Sequence, residues 1–216
     1  WSSDVCSSDL GLLGLKHLHI FALVLVNRLD AAPAVLPFAL SSFTIEGTRE
    51  TLSPALLRSL FLSSTHSLST LNLAGPVLVN AAPLISSFHL IAPTLTSLSL
   101  TTPWLSLTPH LASCTSLTHL SLLSALSTSP FAPHAEAILR ILPSSLHTLT
   151  LKGPRPQEAY HVLRMLLDHL EWPALKALKE LRLVGGADKA MASLQVKQGG
   201  MTALKRKGVK VIYMQE

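Results

Sequence analysis

Apolar residues fall along this chain in a recurring six-residue figure, Leu-x-x-Leu-x-Leu with apolar substitutes. It reads LKHLHI from Leu15, LSSFTI from Leu40, LSTLNL from Leu68 and LTSLSL from Leu95. It continues as LTHLSL from Leu117, LHTLTL from Leu146 and LKELRL from Leu178. Successive starts are 25, 28, 27, 22, 29 and 32 residues apart. A period of this length, repeated so often, marks an array of equivalent structural units. Side chains alternate faces along a strand, so the second and third apolar positions point the same way, into a core. The first apolar residue leads the chain into the strand from the core side. Residues between them, such as Ser97 and Ser99, point to the opposite face. A single unit cannot bury its leucines; stacked units bury them against each other.

Between these figures the apolar spacing becomes helical. Leu52, Leu56, Leu57 and Leu60 share a face within 51–62, and Ala135, Ile138, Leu139 and Leu142 share one within 133–142. The clearest stripe is Ala159, Val162, Leu163, Leu166, Leu167 and Leu170 within 157–170, with Glu158, Arg164 and Asp168 at angles suited to solvent. Pro156 stands just ahead of this helix, where its missing N–H costs little, and Pro173 marks the exit. Residues 188–207 read as a final helical stretch interrupted at Gly199 and Gly200. After Gly208, VKVIYM reads as a closing strand in one of two registers. Val209, Val211 and Tyr213 alternate, while Val209, Ile212 and Met214 also match the repeat. Strands alternating with helical or turn segments predict a parallel sheet with right-handed crossovers. At about 4.8 Å per strand, seven strands give an inner face long enough for a peptide or a helix of a partner.

The first ten residues, WSSDVCSSDL, stand outside this pattern. They back-translate as TGG-AGT-TCA-GAC-GTG-TGC-TCT-TCC-GAT-CTN, a run of a common short-read sequencing adapter. Residues 1–10 are therefore read as an adapter-derived artefact and set aside. The domain is taken as 11–216, about seven to eight repeats, truncated on its N-terminal side of whatever precedes Gly11. With Cys6 in that segment, Cys114 is left without an internal disulfide partner. A reducing compartment, cytoplasmic or nuclear, is the expectation. Hydrophobic residues make up 48% of the chain, but the longest apolar run, from Ile20 to Val26, is far short of the ~20 residues a membrane helix needs. No membrane association is expected. Charge is uneven: residues 1–150 carry 5 Lys/Arg and 6 Asp/Glu (net −1), and residues 151–216 carry 12 and 6 (net +6). A basic end can mark an acidic partner or nucleic acid. Lys205, Arg206, Lys207 and Lys210 lack interleaved aromatics, so a solvated terminal face is the plainer reading and nucleic acid is not expected.

On the seven repeats the chain resembles the long-repeat leucine-rich-repeat proteins, of the kind attached to F-box domains or found in ribonuclease-inhibitor-like horseshoes. The resemblance covers about residues 15–214. It implies an α/β solenoid with a parallel sheet on its concave face, helices and irregular turns on its convex face, and protein recognition on the sheet. One feature departs from the family, which often carries Asn or Cys three residues past the last motif leucine to hydrogen-bond the turn. Those places here hold Leu23, Thr48, Pro76, Pro103, Ala125, Pro154 and Gly186. A different way of building the turn is required.

Chemistry-bearing motifs are sparse. There is no HExxH, CxxC pair, P-loop or GxGxxG. His161 and His169 are two helical turns apart, too far to share one ion, and read as helix-surface residues. His119 and His147 lie in neighbouring repeats but differ in register by one, so they should tilt to opposite faces or edges. Cys114, just ahead of a strand, reads as a buried structural thiol. No catalytic residue, metal or cofactor is expected, and enzyme activity is not. The outward strand positions are the candidate protein-binding residues: His17 and His19, Ser42 and Thr44, Thr70 and Asn72, Ser97 and Ser99, His119 and Ser121, Thr148 and Thr150, Glu180 and Arg182. Ser and Thr also suit a merely solvated strand face, and Trp104 is an alternative anchor. The function expected is a recognition module, as the substrate-recognition part of an F-box-type ubiquitin-ligase adaptor whose F-box would precede Gly11. The alternative is a regulator or inhibitor of a GTPase or nuclease on the same horseshoe.

Overall fold

The computed structural model describes residues 15–21, 36–46, 54–74, 82–123, 139–152, 166–169, 171–184 and 204–214. Their centre is one open sheet of eight parallel strands in strictly sequential order. The strands are β1 (His17–Phe21), β2 (Ser42–Glu46), β3 (Thr70–Ala74), β4 (Ser97–Thr101), β5 (His119–Leu123), β6 (Thr148–Lys152), β7 (Glu180–Val184) and β8 (Lys210–Met214). Each of the first seven begins at the third residue of its motif and runs one residue past the last motif position. The sequence period thus becomes the strand spacing. The character is α/β.

Pairing aligns the motifs position for position. Phe43 stands against Leu18 and Leu71, and Leu98 against Leu71 and Leu120, and so on to Leu181 beside Val211. These rows, with the leading residues Leu40, Leu68, Leu95, Leu117, Leu146 and Leu178, form one continuous buried core. The pairing Leu181↔Val211 and Leu183↔Tyr213 settles the open register of the closing strand in favour of the Val209, Val211, Tyr213 alternation. Gly208 falls where the leading leucine would stand. Its φ of +79° is a conformation glycine adopts at little cost, and the neighbouring Val209 is buried instead.

Helical segments close the core from the other side. α1 (Pro54–Ser63) starts on a proline and buries Leu57, Leu60 and Phe61 while Arg58 stays exposed. The Phe61 ring meets Phe43 of β2 edge-on, centroids 6.3 Å apart. α2 (Ala82–Phe88) packs beside α1 and buries Leu84 and Phe88. Two 3₁₀ stretches follow, Ala92–Thr94 and Thr102–Ser113, the second containing Pro109. Neither α2 nor these stretches was expected. Their apolar positions are diluted by Ser, Thr and Pro, and no long helical stripe forms. Of the expected helices, residues 139–141, 166–168 and 204–206 are helical, and Pro173 opens a short helix, Pro173–Lys176, rather than only ending one. Leu142, His169 and Lys207, at the ends of the expected helices, are not helical. Residues 51–53, 133–138, 157–165, 170 and 188–203 lie outside the described residues, as do residues 1–14 and the turn positions Leu23, Thr48, Pro76, Ala125, Pro154 and Gly186. Pro103, the described member of that set, lies in the 3₁₀ stretch after β4. No helix among the described residues is long and apolar enough to cross a membrane.

Candidate functional site

The chain contains many Ser and Thr residues, and the structure divides them into two populations. The first stands just before the strands. Ser41 donates its hydroxyl to the carbonyl of Lys16 (3.0 Å), Ser69 to that of Ser41 (3.1 Å), Thr96 to that of Ser69 (3.1 Å), and Thr118 to that of Thr96 (3.0 Å). These are equivalent positions of consecutive units, so the bonds form a ladder along the sheet. The same carbonyls also accept two successive backbone N–H groups each, as Ser69 does from Thr96 and Ser97 at 2.9 and 3.0 Å. A second ladder runs two residues earlier: Ser67 to Leu40 (2.7 Å), Thr94 to Leu68 (3.0 Å) and Ser145 to Leu117 (2.8 Å). Together they tie each unit to the one before it at the leading ends of the strands. Hydroxyl donors thus link the units there.

The second population lies on the outward face of the strands, in the columns expected. One column runs His17, Ser42, Thr70, Ser97, His119, Thr148, Glu180, Lys210. The next runs His19, Thr44, Asn72, Ser99, Ser121, Thr150, Arg182, Ile212. His17 and His119 are exposed, and Ser42, Thr44, Thr70, Asn72, Ser97, Ser99, Ser121, Thr150, Glu180 and Arg182 are half-buried. Thr148 departs from the pattern at 7% exposure. It stands between His119 and Glu180 in the register. The outward hydroxyls take no part in the ladders. The Ser121 oxygen is fully buried with no hydrogen-bond partner, in a row between Ser99 and Thr150.

Along these two columns formal charge enters at the β7–β8 end. Glu180 and Arg182, two apart on β7, form an ion pair in the plane of the columns. At the other end His17 is exposed beside Ser42. In the middle, the exposed His119 ring holds the Thr118 hydroxyl through Nδ1 at 2.8 Å. His147 is not on the outward columns. It takes the Thr118 position of its own unit, donating its backbone N–H to the Thr118 carbonyl, so the two imidazoles belong to different columns. His169 stacks on Trp172, centroids 4.0 Å apart, with the Arg140 guanidinium 5.4 Å from the same indole. His161 lies outside the described residues. Among the described residues no group of three or more His, Cys, Asp or Glu comes together to hold a metal. Cys114 is buried under the sheet, and burial pushes its thiol up to about 12 from an ordinary 9.0.

A third outward column escaped the sequence reading: Phe21, Glu46, Ala74, then Thr101, Leu123, Lys152, Val184, Met214. It is the next step of the two-residue alternation, one position beyond the motif's last leucine. Extending the period past the motif would have found it. This column is more apolar than the others, with Val184 buried and Met214 39% exposed. Compared with models of known protein families and with curated proteins, the chain matches none.

Proposed function

We propose that this chain is a leucine-rich-repeat solenoid that holds another protein against the outward, concave face of its sheet. The observation that carries the reading is the contrast between the two hydroxyl populations. Ser41, Ser69, Thr96 and Thr118 spend their hydroxyls on the fold. Those of Ser42, Thr44, Thr70, Ser97, Ser99 and Thr150, half-buried on the outward columns, take no part in the ladders and can bond to something else. A polar, nearly uncharged array bounded by a more apolar column suits a protein surface, whose amides and side chains offer matching donors and acceptors. We read the module as the substrate-recognition part of an F-box-type adaptor in a reducing compartment.

The test is a binding comparison on the full-length gene product. The triple variant Ser99→Lys, Ser121→Lys and Thr150→Lys crowds the centre of the face with cations while leaving both ladders and the leucine core in place. Proteins that co-purify with the native chain and are lost from this variant support the reading. An unchanged set, with the variant still folded, overturns it. The adaptor form is tested separately by the transcript, through the presence or absence of an F-box coding sequence upstream of Gly11.

A further inference from the structure

The last strand differs from the rest of the sheet in charge and in surface. Lys205, Arg206, Lys207 and Lys210 are all exposed, as are Lys176 and Lys179 in the unit before. The neighbouring carboxylates are engaged: Glu171 by Lys207 and Glu180 by Arg182. The Lys207 hydrogen bond and charge hold the Glu171 carboxyl below its ordinary value. Lys210 lies directly opposite Glu180 in the register, but that carboxylate is shared with Arg182. Along β8 the outward positions are Lys210, Ile212 and Met214: a cation, a half-buried apolar residue and an exposed one. Among the described residues β7 is the one strand paired with β8. Its other edge therefore carries a row of backbone donors and acceptors without strand partners.

We propose that the free edge of β8 takes up an extended acidic–apolar segment of a partner protein as a further strand, with a carboxylate beside Lys210 and apolar side chains beside Ile212 and Met214. Strand addition satisfies the edge backbone, and alternate side chains supply the selectivity. The cations decide the occupant. A second copy of β8 would bring Lys205, Arg206 and Lys207 against their own kind, and like charges repel across an edge. An acidic strand turns the same charges into attraction. Nucleic acid fits less well, because no aromatic side chain lies between Lys205 and Lys210 to stack on bases. Lys210 and Ile212 end the two outward columns, but the site proposed here is the backbone edge of β8 and not the hydroxyl face, so it is tested separately from the function proposed above.

Fluorescence anisotropy on the full chain tests it, with a labelled peptide Asp-Glu-Glu-Thr-Val-Thr-Val as probe. Saturable binding is expected, weakened roughly tenfold by Lys210→Glu or Arg206→Glu, the scale of loss for a broken interfacial charge pair. Lys16→Glu, beside the opposite edge strand, should leave it unchanged. A peptide N-methylated at alternate amides along one edge keeps its charge and should lose binding. Equal binding of the methylated peptide would reduce the site to ion exchange and overturn the proposal. So would preferential binding of labelled oligo(dT), no binding of the acidic peptide, or self-association that changes with Lys210→Glu.

Discussion

Leu120 and Ser121 are adjacent in the chain and could hardly be placed more differently. Leu120 is 1% exposed between Leu98 and Leu149, deep in the stacked rows. Leu120→Asp puts a carboxylate there with no partner, a change of the kind that costs several kcal/mol, about 4 or more. Ser121 points the other way, and its oxygen is buried without a partner. Removing an unsatisfied hydroxyl leaves nothing broken, so Ser121→Ala should be neutral or stabilising by up to about 1 kcal/mol. Circular-dichroism melts of the two variants read the difference directly. Similar losses in both would mean that the strand register is wrong. At Cys114 the prediction concerns pH. The folded thiol is raised to about 12 against an ordinary 9.0, so the folded state holds its proton longer than the unfolded one. Its contribution to stability is whole below about 9 and drains away as pH rises toward about 12. A maleimide should leave this thiol unlabelled at pH 8 until denaturant is added, and rapid labelling of the native chain would contradict the burial.

A strand in this sheet is specified twice, by its leucines and by the hydroxyl that precedes it. Thr96 illustrates the second device: its Oγ1 donates to Ser69 O at 3.1 Å, and the Thr96 carbonyl accepts from Thr118. Thr96→Val removes the donor and keeps the shape, and should cost about 1 kcal/mol. Thr150→Val, on the outward face, should cost little, so urea melts of the pair separate ladder from surface. Equal midpoints would assign the ladder no stabilising role. The seven regular strands were legible because Leu-x-x-Leu-x-Leu imposes period two on short segments. The outward columns followed from the same period. Other features were not legible, α2 (Ala82–Phe88) and the 3₁₀ stretch Ala92–Thr94 among them. The register of β8 turned on which of Val211 or Ile212 stands beside Leu181, and both are apolar. The 3₁₀ stretch Thr102–Ser113, with its prolines, has no periodicity to read. The ladders were hidden because Ser41 or Thr96 looks in sequence just like Ser42 or Thr44; only the partner distinguishes them.

At the scale of the molecule, a sheet of repeated parallel strands has an end problem. Every strand but the outermost has its backbone groups taken by neighbours on both sides, and an uncovered strand invites pairing with another chain. Here β8 covers β7 over five paired positions, from Glu180↔Lys210 to Val184↔Met214. Val209 and Leu204 are buried beneath it, so the segment is packed as well as paired. It also carries Lys205, Arg206, Lys207 and Lys210 against a single acid, Glu216. Deleting residues 205–216 takes the net charge from +5 to +2 (four cations and one acid removed) and bares the β7 edge with Leu181 and Leu183 behind it. Both changes favour association, one by lowering mutual repulsion and the other by offering unpaired backbone. The truncated chain should therefore associate at rising concentration in light scattering and melt earlier. Its first six strands should stay folded when dilute, because units of a stack contact mainly their neighbours. Should the truncated chain remain monomeric with an unchanged melt, residues 205–216 would be a loose basic tail, and the edge of β7 would need some other cover.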